Sequence, residues 1–291
     1  MVENKERACD TGFGKIKVIQ KQGLGYGVDT VLLAGFSAGE TGAKPIPEGA
    51  EVADLGTGSG IVAMIIAHKI PHTKICGMEL RSDACDRARK SIEISELSDR
   101  VFVENIDIAD FAYNMNKIGC TAERTAEQIP ERTTERIATQ NPERIAVQNP
   151  AQNLAKHFAK YDAVVSNPPY FKKNSAIPSE SSDKYIARHE TSAELADFLL
   201  AAARMLKDGG DLYMVHRPDR MVDILSEMRA AGLEPKELQL VTPRQGEAAN
   251  IMLVHGIKGG GAELKLLPEI PVHDEKQNYT NIINRIYERR I

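Results

Sequence analysis

The sequence contains no tryptophan, and aromatic residues make up only 5% of its 291 residues. Its longest apolar run, residues 61–67, is far shorter than the roughly 20 residues that a membrane-spanning helix needs. The four cysteines show no C-x-x-C spacing, so neither a disulfide framework nor a zinc site is expected. The first ten residues are charged and lack an apolar segment, which argues against a secretory signal. We therefore expect a cytoplasmic protein with neither a membrane segment nor a bound metal.

An excess of positive charge is also missing. The formal net charge is -4, which disfavours a protein that coats itself with nucleic acid but is compatible with a local basic face. The hydrophobic content of 42% and charged content of 27% are typical of a globular domain. The length allows one large α/β domain with appendages, and nothing in the sequence indicates an oligomeric state.

From residue 51 onward, short apolar runs alternate with helical patterns. The predicted strands are 52–55, 74–78, 100–105, 162–166 and 211–216, and the predicted helices are 61–68, 83–97, 193–206 and about 219–231. This alternation favours a largely parallel sheet. Gly209 and Gly210 are expected to end the third helix. Two final strands, 236–241 and 251–255, leave no room for a helix between them and must pair antiparallel.

Several segments flank or interrupt this core. Residues 1–48 are expected to begin with an irregular stretch, 1–14, and then form a strand at 15–20 and a short helix at 31–36, capped by Asp29 or Thr30. The core itself comprises 49–118 and 156–258, followed by a tail, 259–291. Residues 119–155 form an insertion with an eight-residue repeat, clearest in 135–142 and 143–150. A proline in each octad prevents a continuous helix, so we favour repeat expansion without a role over an RNA-binding or partner-binding arm.

Residues 166–170, Ser-Asn-Pro-Pro-Tyr, follow one of the predicted strands. Two consecutive prolines neither extend a strand nor begin a helix, so the chain leaves the sheet in an extended turn. That turn holds the Asn167 amide and the Tyr170 ring at the carboxyl end of a strand, where open α/β sheets bind ligands. An amide accepts hydrogen bonds from an amine and a ring stacks on a flat group, so the pair predicts a clamp for a flat, amine-bearing target. An ordinary turn is the alternative.

A glycine-rich stretch, Asp54-Leu55-Gly56-Thr57-Gly58-Ser59-Gly60, lies between the first core strand and its helix. Its G-x-G-x-G spacing differs from the G-x-G-x-x-G of dinucleotide-binding loops. Asp54 would repel a pyrophosphate but not a ligand with a cationic or zwitterionic end, and S-adenosylmethionine fits that description. Glu79 ends the next strand, where a carboxylate can bind ribose hydroxyls, and Asp107 follows the third, where it can accept from an adenine amine.

With these residues the sequence resembles the class I S-adenosylmethionine-dependent methyltransferases over roughly residues 50–257. Residues 54–60 are similar to their cofactor loop, and 167–170 to the fourth motif of members that methylate amino groups. The resemblance implies a Rossmann-like α/β fold whose sheet has seven mainly parallel strands, an antiparallel last strand and helices on both faces. The cofactor contacts that it implies are Asp54, Gly56, Thr57, Gly58, Gly60, Glu79, Asp107 and Asn167.

Four further stretches are similar to the bacterial tRNA (adenine-N6) methyltransferases, which modify the adenine at position 37 of a valine tRNA. They are residues 25–34, 186–190, 215–218 and 243–250, and with them the resemblance covers nearly all of 15–282. The implied partner is a tRNA whose adenine is swung out near the anticodon. The octad insertion departs from the family pattern. It bears on how the chain reaches its substrate, but not on the methyl-transfer chemistry.

The resemblance implies roles for the turn and for the basic residues around it. The Asn167 side-chain oxygen and the Pro168 carbonyl would accept the two N6 hydrogens, while Tyr170 and Phe171 stack on the base. The residues expected to contact substrate are Pro169, Tyr170, Phe171, Lys172, Arg188, Arg217 and Arg244. The basic ones, with Lys173 and Arg220, would contact phosphates or are ordinary surface charges. His189 and His216 are interpreted as structural rather than catalytic.

Three alternatives compete with this function. A protein glutamine-N5 methyltransferase shares Asn-Pro-Pro-Tyr, but it usually carries a helical N-terminal domain that this chain lacks. Another rRNA or DNA amino-methyltransferase would share the clamp as well. A nucleotide-binding module without chemistry would not need Asn167 and Tyr170. The tRNA adenine-N6 methyltransferase is therefore the prediction.

Overall fold

A computed structural model describes residues 6–21, 26–110, 154–169 and 195–289. The octad repeat lies outside these ranges, as do Tyr170, Phe171, Lys172, Lys173, Arg188 and His189. None of the helices in the described ranges is both long enough and apolar enough to cross a bilayer.

The elements follow the predicted alternation. The strands are β1 (Glu6–Asp10), β2 (Lys17–Lys21), β3 (Glu51–Leu55), β4 (Lys74–Glu79), β5 (Val101–Asn105), β6 (Tyr161–Ser166), β7 (Leu206–His216), β8 (Leu233–Arg244), β9 (Ile251–Lys258), β10 (Lys265–Leu266) and β11 (Ile270–His273). The helices are α1 (Val28–Ser37), α2 (Ile61–Lys69), α3 (Ser82–Ile94), α4 (Leu195–Met205), α5 (Met221–Ala230) and α6 (Asn281–Ile286). A single 3-10 turn, Pro218–Arg220, precedes α5.

The main sheet has the order β10-β8-β9-β7-β6-β3-β4-β5, with β11 also paired to β8. The strands β3 to β7 are mutually parallel, and β9 runs antiparallel to both β7 and β8. The predicted class I fold is confirmed, including the antiparallel strand. The described sheet has nine strands rather than the expected seven, because β10 and β11 extend its edge beside β8.

Both faces of the sheet are buried, as expected for parallel strands. On β3, Val52 packs with apolar residues of α1, α2 and α3, whereas Ala53 and Leu55 pack with those of α4 and α5. Each fully buried large apolar side chain stabilises the fold by about 1.5–3 kcal/mol. The sheet is therefore packed between two helical layers.

Three local predictions are wrong. Residues 6–10 form β1, which pairs with β2; its exposed side chains leave little hydrophobic signal in the sequence. Gly209 and Gly210 lie inside β7 rather than ending a helix, because β7 begins directly after α4. A Cβ on Gly210 would lie 3.1 Å from the Asp162 carbonyl oxygen, so this glycine permits close strand approach. Helix α1 begins at Val28 without a side-chain cap, and Asp29 accepts instead from the Thr30 amide.

The range expected as a tail carries β10, β11 and α6. Strands β10 and β11 run parallel to β8, and α6 lies against α1. Because β9 is antiparallel to both β7 and β8, the latter run in the same direction. The carboxyl ends of β3 to β8 and of β11 therefore meet along one side of the sheet, which we name the carboxyl edge.

Candidate active site

The glycine loop follows β3 at the carboxyl edge. Gly56, Gly58 and Gly60 have φ angles of 74°, 57° and 79°, in the left-handed region where only glycine is unstrained. The amides of Gly56 and Thr57 donate to the Met78 carbonyl of β4, at 2.9 and 3.1 Å. The three predicted glycines are thus required by the backbone itself, and the loop is fixed to the neighbouring strand.

Asp54 is 1% exposed and accepts a 2.6 Å hydrogen bond from the Thr57 hydroxyl. Burial raises the pKa of this carboxyl to about 7, against the lowering effect of the bonds from Thr57 and from the Ala63 amide. The Glu79 charge adds to the rise in pKa. The Asp54 carboxylate is therefore engaged within the glycine loop, where it helps to hold the shape of that loop.

Glu79, at the end of β4, holds the loop from the other side. Its Oε2 accepts from the Gly58 amide and its Oε1 from the Arg81 amide, both at 3.0 Å. Each carboxylate oxygen can accept two hydrogen bonds, so capacity for a ligand remains. Asn105, at the end of β5, donates to the carbonyls of Glu79 and Leu80, at 2.9 and 2.7 Å, which joins the two strand ends.

Asp107 follows β5 on the same edge. It is half-buried, and its Oδ1 accepts from the Ala109 amide at 2.9 Å. The structure therefore brings the two predicted acids and the glycine loop to three successive strand ends, as the sequence indicated.

Asn167 leaves the sheet from β6, beside the glycine loop. The register pairs Leu55 with Ser166, and the Ser166 hydroxyl donates to the Leu55 carbonyl at 3.1 Å. The Asn167 side-chain nitrogen donates to the Thr30 hydroxyl of α1 at 3.3 Å. Pro168 is buried and Pro169 half-buried, so the described part of the turn is held in place.

The basic residues that the structure describes are only partly available to a ligand. Arg217 is exposed just after β7. Arg244, at the end of β8, donates to Glu247 and to Gln277, each at 2.8 Å. Arg220 pairs with Asp223 at 2.6 Å. Arg217 and Arg244 thus both lie at the carboxyl edge. The Arg244 side chain is already hydrogen-bonded to neighbouring side chains.

His216 ends β7 and is 2% exposed. Its Nδ1 accepts a 2.8 Å hydrogen bond from the Arg217 amide, and burial lowers its pKa to about 4. A neutral histidine bonded to the backbone matches the structural interpretation given to it from the sequence.

Two site residues were not predicted in these roles. Thr30 was considered only as a helix cap, yet it contacts the Asn167 amide. Gly77 lies in the middle of β4, where a Cβ would come within 2.8 Å of the Thr57 side chain. An isolated glycine inside an apolar strand indicates that another part of the chain packs closely against it. This signal could have identified Gly77 from the sequence.

Three potential metal ligands do lie together, although the cysteine spacing gave no sign of them. Donor atoms of Cys76, Glu104 and His157 are all within 4.8 Å of one another. The Glu104 carboxylate is 3.4 Å from His157 Nε2 and 2.7 Å from Lys156 Nζ, and these partners, His157 foremost, lower its pKa to about 2. We interpret the cluster as an ion pair between Glu104 of β5 and Lys156 of the segment before β6, with the Cys76 thiol of β4 and the His157 ring packed beside it.

Comparison with known proteins adds family information to this geometry. The sequence model of the Eco57I restriction-modification methylase family matches residues 73–239. A Porphyromonas gingivalis protein named tRNA1(Val) (adenine(37)-N6)-methyltransferase is 27% identical over 198 residues, 68% of this chain and 60% of that protein. The matched part thus spans less than two thirds of that relative. A Bacteroides fragilis protein of the same name is 23% identical over 92% of both chains.

Solved structures agree in fold. A predicted O-methyltransferase from Agrobacterium tumefaciens has a TM-score of 0.59 at 20% identity, covering 89% of this chain and 95% of that one. A putative transferase from Pyrococcus horikoshii has a TM-score of 0.51 at 12% identity, covering 88% and 72%. At such identities the likeness concerns the fold alone.

Proposed function

The chain belongs to the Eco57I restriction-modification methylase family, and we propose that it transfers a methyl group from S-adenosylmethionine to the N6 amine of an adenine in tRNA. The target that we infer is the adenine at position 37 of a valine tRNA, which the P. gingivalis and B. fragilis relatives are named for. The reaction would take place in the cytoplasm.

One observation carries the proposal. The β3–β6 register sets Leu55 beside Ser166, so the glycine loop and the Asn-Pro-Pro turn leave the sheet from adjacent strands. The 3.1 Å bond from Ser166 to Leu55 joins the two strand ends directly. A methyl donor held by the loop and an amine held by Asn167 would therefore be neighbours, as transfer by direct displacement needs.

The residues of the loop fit the cofactor. The left-handed glycines let the main chain of the loop approach a ligand without side chains in the way, and Glu79 and Asp107 offer carboxylates at the next two strand ends. In the proposal, Glu79 accepts from the ribose hydroxyls and Asp107 from the adenine amine of the cofactor. Gly56, Thr57, Gly58 and Gly60 line its amino-acid end, and Asp54 keeps that loop in shape. S-adenosylmethionine supplies an electrophilic methyl group attached to a positively charged sulfur.

The turn after β6 would orient the nucleophile. An adenine amine is a poor nucleophile because its lone pair is delocalised into the ring. The Asn167 side-chain oxygen and the Pro168 carbonyl would accept the two amine hydrogens and direct the lone pair toward the methyl group. Thr30 would keep the Asn167 amide in that orientation. The methylated amine then loses a proton to water, so no strong base is needed.

Residues around the turn would hold the RNA. Pro169, Tyr170 and Phe171 would pack on the swung-out base, since aromatic rings stack on unpaired bases. Phosphate contacts would come from Lys172, Arg188, Arg217 and Arg244.

The test is methyl transfer from labelled S-adenosylmethionine to unmodified tRNA transcripts, followed by nucleoside analysis. We expect N6-methyladenosine from the native protein and none from Asn167→Ala, with cofactor affinity nearly unchanged. A control away from the carboxyl edge is Asp99→Ala, since Asp99 is exposed in the turn that precedes β5. Label that enters a protein fraction but not RNA would instead indicate a glutamine methyltransferase. Cofactor affinity that falls in step with activity would refute the role of Asn167.

A further inference from the structure

The C-terminal residues build an aromatic surface, by which we mean His273, Tyr279, Tyr287 and Arg289. The rings of His273 and Tyr279 stack at a centroid distance of 4.9 Å, and those of Tyr279 and Tyr287 lie 6.4 Å apart at 26°. The Arg289 guanidinium carbon lies 4.4 and 4.6 Å from the two tyrosine ring centroids. Flat rings and a flat cation thus form one continuous array in a chain with few aromatic residues.

This array lies at the carboxyl edge, on the same side of the sheet as Asn167. Strand β11 ends at His273, which is in register with Arg244 at the end of β8. The Arg244 side chain donates to Gln277 at 2.8 Å, so β8 is also joined to the turn that carries Tyr279. The array is therefore an extension of the edge on which the candidate active site is built.

The turn that presents Tyr279 is fixed before any ligand arrives. Asp274 Oδ1 accepts from the amides of Lys276 and Asn278, both at 2.8 Å, and the backbone of His273 pairs with that of Tyr279. Tyr279 nevertheless remains 41% exposed. An ordered yet exposed ring is suited to binding, because little side-chain entropy is lost when a ligand covers it.

Tyr287 links the array to the N-terminus of α1. Its ring stacks on Phe13 at 6.0 Å, and burial, with Tyr279 next, raises its pKa to about 12. Tyr287 also packs against the same buried apolar cluster as Val28, the first residue of α1, and α6 lies against α1. The aromatic surface and the helix that carries Thr30 therefore share one core.

We propose that the aromatic surface binds an unpaired base of the RNA substrate, adjacent to the adenine that is methylated. The inference rests on the proposed function and deepens it. Tyr279 would stack on the face of the base, and Arg289, which is exposed, would contact the base or its phosphate. Of the nearby acids, Glu288 pairs with His68 and Lys69, and Glu247 pairs with Arg244. Asp274 and Asp29 accept main-chain hydrogen bonds. The ligand class is a nucleobase in a single-stranded loop.

The experiment measures binding of the 291-residue chain to an unmodified tRNA transcript and, separately, to S-adenosylmethionine. Tyr279→Ala should weaken RNA binding by about 5- to 150-fold, the usual cost of losing one base–aromatic stack. Tyr279→Phe keeps the ring and should bind RNA as the native protein does. The matched control is Phe102→Ala, because Phe102 is 49% exposed on β5, at the opposite end of the strand order. S-adenosylmethionine affinity should be equal in all four proteins.

A second measurement keeps the inference testable if Tyr279→Ala disturbs its neighbours. A series of anticodon stem-loop transcripts, each with an abasic site at a different loop position, is tested for binding to the native protein. One of them should bind the native protein as weakly as the intact RNA binds Tyr279→Ala. The two losses should not add when combined. RNA affinity that is unchanged in Tyr279→Ala, or a loss that adds to every abasic loss, would overturn the inference. A native protein that does not methylate tRNA would refute the proposed function instead.

Discussion

The Thr57 hydroxyl donates a 2.6 Å hydrogen bond to the buried carboxylate of Asp54, within the same glycine loop. Burial raises the pKa of Asp54 from its ordinary 3.8 to about 7, despite that bond. The folded protein therefore binds a proton at this carboxyl more tightly than the unfolded chain does. Ionising Asp54 must then cost stability, which links the geometry of the loop to pH.

The direction in which stability changes with pH follows from the raised pKa of Asp54. Because the folded value lies above the unfolded one, the free energy of unfolding should decrease as pH rises from about 4 to about 7. We expect Asp54→Asn, which stays neutral, to lose this part of the pH dependence and to unfold at a higher temperature than the native protein at pH ~8. Thermal unfolding at a series of pH values measures it. Parallel pH profiles for the two proteins would contradict the prediction.

The sequence predicted those parts of the site whose conformation is determined by residues adjacent in the chain. The left-handed angles of Gly56, Gly58 and Gly60 follow from their spacing after an apolar strand, and the double proline after Asn167 ends β6 by its own stereochemistry. Parallel strands then bring such turns to one edge, so β3 and β6 could be expected to act together.

Contacts between distant residues could not be predicted in this way. Thr30 and Asn167 are 137 residues apart, and their contact depends on how α1 packs against the sheet. Tyr279 and Arg289 come together in a region where β11 pairs with β8. The four residues at 270–273 are too short a segment for this pairing to be predicted from the sequence. Gly209 was assigned to a helix end because a glycine inside a strand and one after a helix give the same local signal.

Gly77→Ala tests how tightly β4 fits beneath the glycine loop. The added Cβ would come within 2.8 Å of the Thr57 side chain, so the loop must shift away from its bonds to Met78. We expect S-adenosylmethionine affinity to fall about 5- to 150-fold, since about 1–3 kcal/mol of strain is typical of overpacking. Isothermal titration measures this.

The control for this substitution is Gly261→Ala, because a Cβ on Gly261 would meet nothing within 4 Å. That variant should bind the cofactor normally. If Gly77→Ala also binds it normally and remains folded, the close packing of β4 against the loop does not matter for the cofactor.

Thr30→Val tests whether α1 orients the amide that would hold the substrate amine. Valine keeps the shape of this 5% exposed side chain but cannot accept the hydrogen bond from the Asn167 nitrogen. Loss of one such bond is typically about 0.5–1.5 kcal/mol, so we expect kcat for tRNA methylation to fall about 2- to 10-fold. Cofactor affinity should stay unchanged, because the hydrogen bond that is lost joins Thr30 to the turn after β6. Thr30→Ser, which retains the hydroxyl, should restore kcat. A fall in cofactor affinity, or a serine variant as slow as the valine one, would mean that Thr30 acts through packing and does not position Asn167.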